Sequence, residues 1–249
     1  SGEYTSDDAN KLLVWIRGNS ATYLVDDSSF GRTVVETNLG TVSNNSINYQ
    51  NYTQNFNGVS LTGDVSQFRV IDANDLSFTD GSNTDRAFSA SLWVKFTESR
   101  THGLFAKAAS SATREYFAIA NSAGEIQFTV FDESTNQQIM KKSKVGSISL
   151  NRWFNIILTY DGSESPDGME IYVNGVLMET TSTFDDSSYA GMENLSAGLF
   201  VGLGFASTST TARYLLGSVA EFALWSKKLS HKAVKAIFAR KGIGNNIQS

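Results

Sequence analysis

The sequence predicts an all-β fold, a two-sheet antiparallel sandwich with one short C-terminal helix. Three observations lead there. Apolar and polar residues alternate with period two through many short segments, as half-buried strands require. Turn residues separate these segments at regular spacing, which suits a sandwich and not alternating strand–helix units. An apolar stripe of helical period stands out once, close to the end of the chain.

The first strand is expected at 11–17. A stretch at 41–54, rich in Asn, Ser, Thr and Tyr, reads as a long surface loop. Strands follow at 67–71 and 87–96. In the latter, Phe88, Ala90, Leu92, Val94 and Phe96 share one face and Ser89, Ser91, Trp93 and Lys95 the other, so one side alone is uniformly apolar. Strands at 116–120 and 125–132 come next, the second aligning Ile126, Phe128 and Val130. The strand at 154–160 ends on Asp161-Gly162-Ser163, a turn signal. The single proline, Pro166, falls in the polar turn 164–168, where it removes no ladder hydrogen bond.

Runs at 169–173 and 176–178 flank Asn174-Gly175, the strongest hairpin signal in the chain, because both residues tolerate the positive φ of a type I′ turn. A second loop is expected at 180–195, then strands at 199–202 and 219–225. Ser230 is placed to cap a helix with a stripe of Val234, Ile237 and Phe238. Lys235, Arg240 and Lys241 favour its C-terminal end and Gly242 terminates it. A lone helix on a β domain is expected against a sheet edge. Trp93, Trp153 and Trp225, beside or within strands, are expected to fill the core.

The 249 residues suffice for one domain with a large core, so neither disulfides nor metals are needed to hold it. A net charge of -5 argues against nucleic-acid binding, which usually shows a basic face. The absence of cysteine removes disulfides, zinc–thiolate sites and thiol nucleophiles together. No apolar run approaches the ~20 residues that span a bilayer, so membrane insertion is not expected. Residues 1–10 read as an N-terminal extension without signal-peptide features, 11–241 as one domain, and 242–249 as a C-terminal tail.

No strand displays the paired carboxyls that glycoside hydrolysis needs. Glu170 and Glu221 stand isolated in apolar strands, where solvent exposure or a backbone amide is the ordinary explanation. His102 reads as a loop residue and His231 as a first-turn helix residue, with no third group to make a triad. The chain is therefore expected to be no enzyme. Asp80-Gly81-Ser82-Asn83-Thr84-Asp85 offers hard oxygen ligands at close spacing, so Asp80 and Asp85 are candidate calcium ligands. The same residue types also form Asx turns that bond their own backbone. Among the loop aromatics, Tyr52 and Tyr189 are the candidates for stacking on a bound ligand, against core or loop-anchoring roles.

Several consecutive motifs carry a family resemblance. Leu12-Leu13-Val14-Trp15 and Asp26-Asp27-Ser28-Ser29-Phe30-Gly31 look like an opening strand and its turn, and Phe56-Asn57-Gly58 precedes the next. They are followed by the strand at 87–96, by Trp153-Phe154-Asn155 with Thr159-Tyr160-Asp161-Gly162-Ser163, and by Ile171-Tyr172-Val173-Asn174-Gly175. The segment 217–225 with Leu229-Ser230 closes the series. In this order, over about 11–240, the chain resembles the laminin-G-like, concanavalin A-like jelly-roll superfamily. The resemblance implies a jelly-roll sandwich of two antiparallel sheets around an apolar core. Ala220 stands before Glu221 where many relatives carry Asp, which weakens a calcium ligand at that position.

This fold hosts lectins, adhesion modules, glycosidases and structural proteins, so it does not fix function. Ser77-Phe78-Thr79-Asp80-Gly81-Ser82 and Tyr189-Ala190-Gly191-Met192-Glu193-Asn194 are similar to domains of bacteriophage structural proteins. That similarity implies a non-enzymatic virion protein, a capsid decoration or a tail or fibre component. It would dock on other structural subunits, assemble as a homo-oligomer in the manner of its class, and attach loosely to surface glycans. The alternative is an extracellular carbohydrate-binding, lectin-like or adhesion module whose loops calcium orders. A glycoside hydrolase using Glu170 or Glu221 ranks third.

Overall fold

The computed structural model describes residues 11–18, 24–40, 42–49, 52–62, 65–82, 84–109, 112–206 and 209–239. The first part of the chain forms β1 (Leu12–Gly18), β2 (Leu24–Asp26), β3 (Val34–Thr37), β4 (Val42–Tyr49), β5 (Tyr52–Leu61) and β6 (Gln67–Val70). The middle forms β7 (Phe88–Phe96), β8 (His102–Lys107), β9 (Tyr116–Ala120), β10 (Ile126–Asp132), β11 (Gln137–Ser143) and β12 (Trp153–Tyr160). The last part forms β13 (Glu170–Val173), β14 (Val176–Leu177), β15 (Thr180–Asp185), β16 (Leu199–Val201), β17 (Leu203–Ala206), β18 (Ser209–Tyr214), β19 (Gly217–Trp225) and helix α1 (His231–Ala239).

Two antiparallel sheets make the sandwich that the alternating segments predict. One runs β14-β13-β12-β7-β19-β1-β2, with β5 also paired to β19 and β4 to β5. The other runs β15-β11-β10-β9-β8-β16-β6-β3. The β17–β18 hairpin packs on β8 and β9. Between the sheets, Phe88, Leu92 and Phe96 of β7 meet Phe105, Tyr116 and Phe128 of the opposite layer. Phe78 and Phe88 stack at 4.3 Å, and Tyr116 tilts onto both. Burying such rings contributes about 2–3 kcal/mol each.

The second face of β7 is also covered, although it mixes Ser with Trp. Ser89 Oγ donates to the Lys227 carbonyl (2.9 Å) and accepts the Leu229 amide (2.9 Å). These bonds satisfy its polarity under the chain that leads into α1. The helix is capped as the sequence predicts, with Ser230 Oγ accepting the Ala233 amide. It does not sit on a sheet edge. Val234 and Ile237 pack on Trp15, Ile157, Tyr172, Ala223 and Trp225, across the outer face of the larger sheet. Trp225 and Trp93 are accordingly buried between sheet and helix, not in the inter-sheet core, and Trp153 is half-buried beside them. The expected helix stop at Gly242 lies outside the described residues.

The Asn174-Gly175 turn has φ of 50° and 75°, the left-handed pair of a type I′ turn, and Asn174 Oδ1 accepts the Asn155 amide. The loop expected at 41–54 is instead the β4–β5 hairpin, paired from Val42↔Val59 to Tyr49↔Tyr52. The loop expected at 180–195 begins as edge strand β15 and is irregular only from 186. Strand pairing overrides the low β-propensity of the Asn and Ser residues in the hairpin, whereas the Thr and Phe residues of β15 suit a strand. His102 is no loop residue: it opens β8 and is buried. Among the described residues no helix is long and apolar enough to cross a membrane.

Candidate binding site

The strands of the sandwich end on two rims, and Asp80, Asp85 and Tyr189 fall on the one where β7 begins and β12 ends. Asp80 lies exposed in the turn before β7, its Oδ1 accepting the amides of Ser82 (2.7 Å) and Thr84 (3.2 Å). This is an Asx turn, and those amides hold its carboxyl below the usual range. Asp85, five residues on, is buried. Its Oδ2 accepts the hydroxyls of Tyr160 (2.6 Å) and Tyr189 (2.7 Å), and its Oδ1 the Met192 amide (2.7 Å). Burial pushes the Asp85 carboxyl up against these three donors. Two of the expected residues, Asp85 and Tyr189, are thus in direct contact, with the tyrosine hydroxyl spent on the carboxylate and its ring packed on the core. Tyr52 opens β5; its side chain lies outside the described residues.

Asp85 is one of several anchors along the strap 186–198, which links β15 to β16. Asp132 accepts the Ala190 amide (3.0 Å), and Glu193 accepts those of Glu133 (2.8 Å) and Ser134 (2.7 Å). Burial pushes Asp132 up, but hydrogen bonds from Thr135, Ser134 and Ala190 outweigh it and hold the carboxyl low. Farther along, Lys107 Nζ donates to the carbonyls of Leu195 (3.0 Å) and Ala197 (2.8 Å), and pairs with Glu115 (2.8 Å) and Asp72 (2.7 Å). Lys107 and Glu115 are fully buried, and Glu115 Oε2 has no partner among the described residues. Burial outweighs the ammonium and pushes the Glu115 carboxyl up to about 7. Among the described residues no three His, Cys, Asp or Glu side chains are grouped to hold a metal ion. Asp26 likewise spends its oxygens on Trp15, Ser28 and Arg32.

Glu170 accepts the hydroxyls of Tyr172 (2.8 Å) and Thr159 (3.2 Å), a structural use. Glu221 sits at a β-bulge with φ of 49°, where β19 changes register against β7.

The opposite rim carries open space. Where β7 and β9 end and β8 begins, a cleft of about 270 Å³ opens against the loop that precedes β12. Its floor is apolar: Phe96 and Ile148 are buried, and Leu150 at the mouth is 42% exposed. Its walls carry the hydroxyls of Ser99, Ser122 and Ser149, with Arg100 and Glu98 at the edge. The Asn121 amide closes its own turn, its oxygen accepting the Ala123 and Glu125 amides and its nitrogen donating one N–H to Glu125, which leaves one N–H toward the cleft. His102 fixes this edge. Its Nδ1 accepts the Leu216 amide (3.2 Å), so Nε2 carries the proton and donates to the Glu98 carbonyl (2.9 Å). Burial holds the imidazole below its usual pKa, which keeps this neutral tautomer.

Of the cleft residues, the sequence marks only Phe96, as a core-facing strand residue, and His102, as a loop residue without catalytic partners; Glu98 and the serines carry no signal of a site. The turn clusters 98–101 and 121–124 were visible signals, but their convergence depends on how the β7–β8 and β9–β10 connections meet at one rim.

Residues 71–235 match the family model described as the concanavalin A-like lectin/glucanases superfamily. No curated protein matches the sequence. Among solved structures, the binding domain of botulinum neurotoxin serotype G aligns with a TM-score of 0.63 at 16% identity, over 91% of this chain and 50% of that one. The receptor-binding domain of the botulinum neurotoxin C/D mosaic serotype aligns with a TM-score of 0.61 at 15% identity, over 92% and 51%. The chain therefore spans about half the length of these structures, and the likeness is one of fold.

Proposed function

Because the chain belongs to the concanavalin A-like lectin/glucanases superfamily, we propose that it is a non-enzymatic binding module that attaches to glycans through the rim cleft beside Glu98. The observation that carries this reading is the cleft lining. Hydroxyl and amide walls over an apolar floor match the mixed polar and apolar faces of a sugar ring. Glu98 is the single carboxyl among the lining residues, whereas hydrolysis calls on two carboxyls about 5–9.5 Å apart. The lining suits holding a glycan and not cutting it. Receptor binding by the botulinum neurotoxin domains supports the adhesive part of the reading.

The setting we propose is a virion surface, with the module docked on capsid or tail subunits and the cleft facing outward. Its support is the wording of 77–82 and 189–194, similar to bacteriophage structural proteins. A glycan array with the purified protein, followed by calorimetry, tests the binding. At least one glycan class is expected to bind and to be lost on Ser122→Trp, which fills the cleft. Failure of all glycans to bind, or release of hydrolysis products that Glu98→Gln abolishes, overturns the reading. Absence of the protein from purified particles overturns the virion setting.

A further inference from the structure

A second cavity, of about 330 Å³, lies on the same rim between the ends of β5, β7 and β19. Ser60, Thr62, Thr97 and Ser218 line it, with Lys95 half-buried at its side. Glu98 lines both cavities. The segment that carries it is fixed from both directions: the Thr97 amide donates to the Leu216 carbonyl (3.2 Å), and the Glu98 carbonyl accepts His102 Nε2 (2.9 Å). The wall between the cavities is thus a rigid ridge with an exposed carboxylate on it.

We propose that the two cavities form one groove for an oligosaccharide of at least two rings. An N-acetylhexosamine occupies the cleft over Phe96, a plain hydroxylated ring occupies the second cavity, and the Glu98 carboxylate accepts hydroxyls of both at their junction. The inference rests on the glycan reading of the first cleft and extends it to the length and kind of chain.

Volume supports two rings. The first cavity, at about 270 Å³, falls just short of the roughly 300–1,000 Å³ that ligand sites span and the second, at about 330 Å³, barely reaches it, whereas the two together fall well inside it. The difference in lining sets the order. In the cleft, Phe96, Ile148 and Leu150 beside Ser and Asn groups accommodate the methyl and the amide of an acetamido group at once. In the second cavity Leu61 is fully buried and Leu216 half-buried, so the hydroxyls of Ser60, Thr62, Thr97 and Ser218 with Lys95 make most of the surface that meets a ligand, and no aromatic ring or further aliphatic side chain joins Leu216. Gly217 lets β19 approach β7 closely at this cavity. Its φ of 146° is poorly open to other residues, and a Cβ there would overlap the Lys95 carbonyl.

The test uses the full chain, an array of N-acetylhexosamine mono- and disaccharides with their non-acetylated counterparts, and calorimetry on the best binders. An N-acetylhexosamine disaccharide is expected to bind at least tenfold tighter than its N-acetylated monosaccharide. Ser218→Trp or Thr62→Trp is expected to erase that gain and leave the monosaccharide affinity unchanged. Two substitutions are used so that one folded variant suffices, folding being checked by circular dichroism. Equal affinity for one and two rings, indifference to both substitutions, or preference for non-acetylated sugars overturns the two-ring groove while the glycan reading stands. Failure of every sugar to bind, or monosaccharide binding indifferent to Ser122→Trp, removes both.

Discussion

Replacing Glu115 by Gln isolates the energetics of a buried charge. The carboxyl is fully buried, with Lys107 2.8 Å from Oε1 and Oε2 unpartnered among the described residues. Its pKa rises from 4.5 to about 7 on folding. Between those values the folded state holds a proton that the unfolded chain has released. The stability this provides is complete below 4.5 and is lost as pH rises through about 7. At about 1.36 kcal/mol per pH unit, the interval is worth about 3 kcal/mol. Glu115→Gln has no proton to lose. Whatever its offset from the wild type at pH 4.5, its relative stability should improve by about 3 kcal/mol by pH 8. Asp72, Lys107 and the Ser77 and Leu195 groups face the site in both proteins and largely cancel in the difference. Urea unfolding followed by tryptophan fluorescence, at intervals from pH 4.5 to 8, gives the difference curve directly. A flat curve, or one that falls with pH, refutes a carboxyl controlled by burial.

Asp85→Ala leaves the hydroxyls of Tyr160 and Tyr189 and the Met192 amide without their acceptor, and about 3 kcal/mol of stability should be lost in the same urea assay. Hydrogen exchange at the Met192 amide should accelerate with it. At neutral pH, long-range proton–nitrogen NMR should find His102 protonated at Nε2 alone, since Nδ1 accepts from Leu216. Because burial lowers the His102 pKa, its contribution is complete above about 6.5 and is lost as pH falls through the lower folded value. His102→Phe should reduce the stability loss over that acidic window. Gly217→Ala combines a φ of 146° with a clash against the Lys95 carbonyl and should cost about 2 kcal/mol or more, read as a lower unfolding midpoint.

The period of two is legible in the residue types of β7 and β10 even though β10 is buried on both faces, and β12 is legible as an apolar run that ends on the Asp161-Gly162-Ser163 turn. The Asn174-Gly175 hairpin was equally plain because its residues encode the turn locally. Strand β8 was not legible: His102, Gly103 and Lys107 interrupt the pattern, yet all six residues are buried. Their polarity is satisfied by partners far along the chain, such as Leu216 for His102 and Ala197 for Lys107. The same applies to the site. Asp85 and Tyr189 read as free ligands because nothing in 80–85 announces a contact with 189–192. The Glu98 cleft is not legible along the chain because three segments distant in sequence make it.

The carboxylates along 186–198 also bear on how this domain can vary. A connection fastened to Asp85, Glu115 and Asp132, and fastening Glu133 in turn, has little freedom in length, because one inserted residue shifts every later donor off its acceptor. On the far rim His102 holds the Glu98 carbonyl, but among the described residues no carboxylate fastens 99–101 or 145–150 in this way. Divergence among relatives should therefore gather at one end of the sandwich, where new specificities arise without disturbing the fastened end.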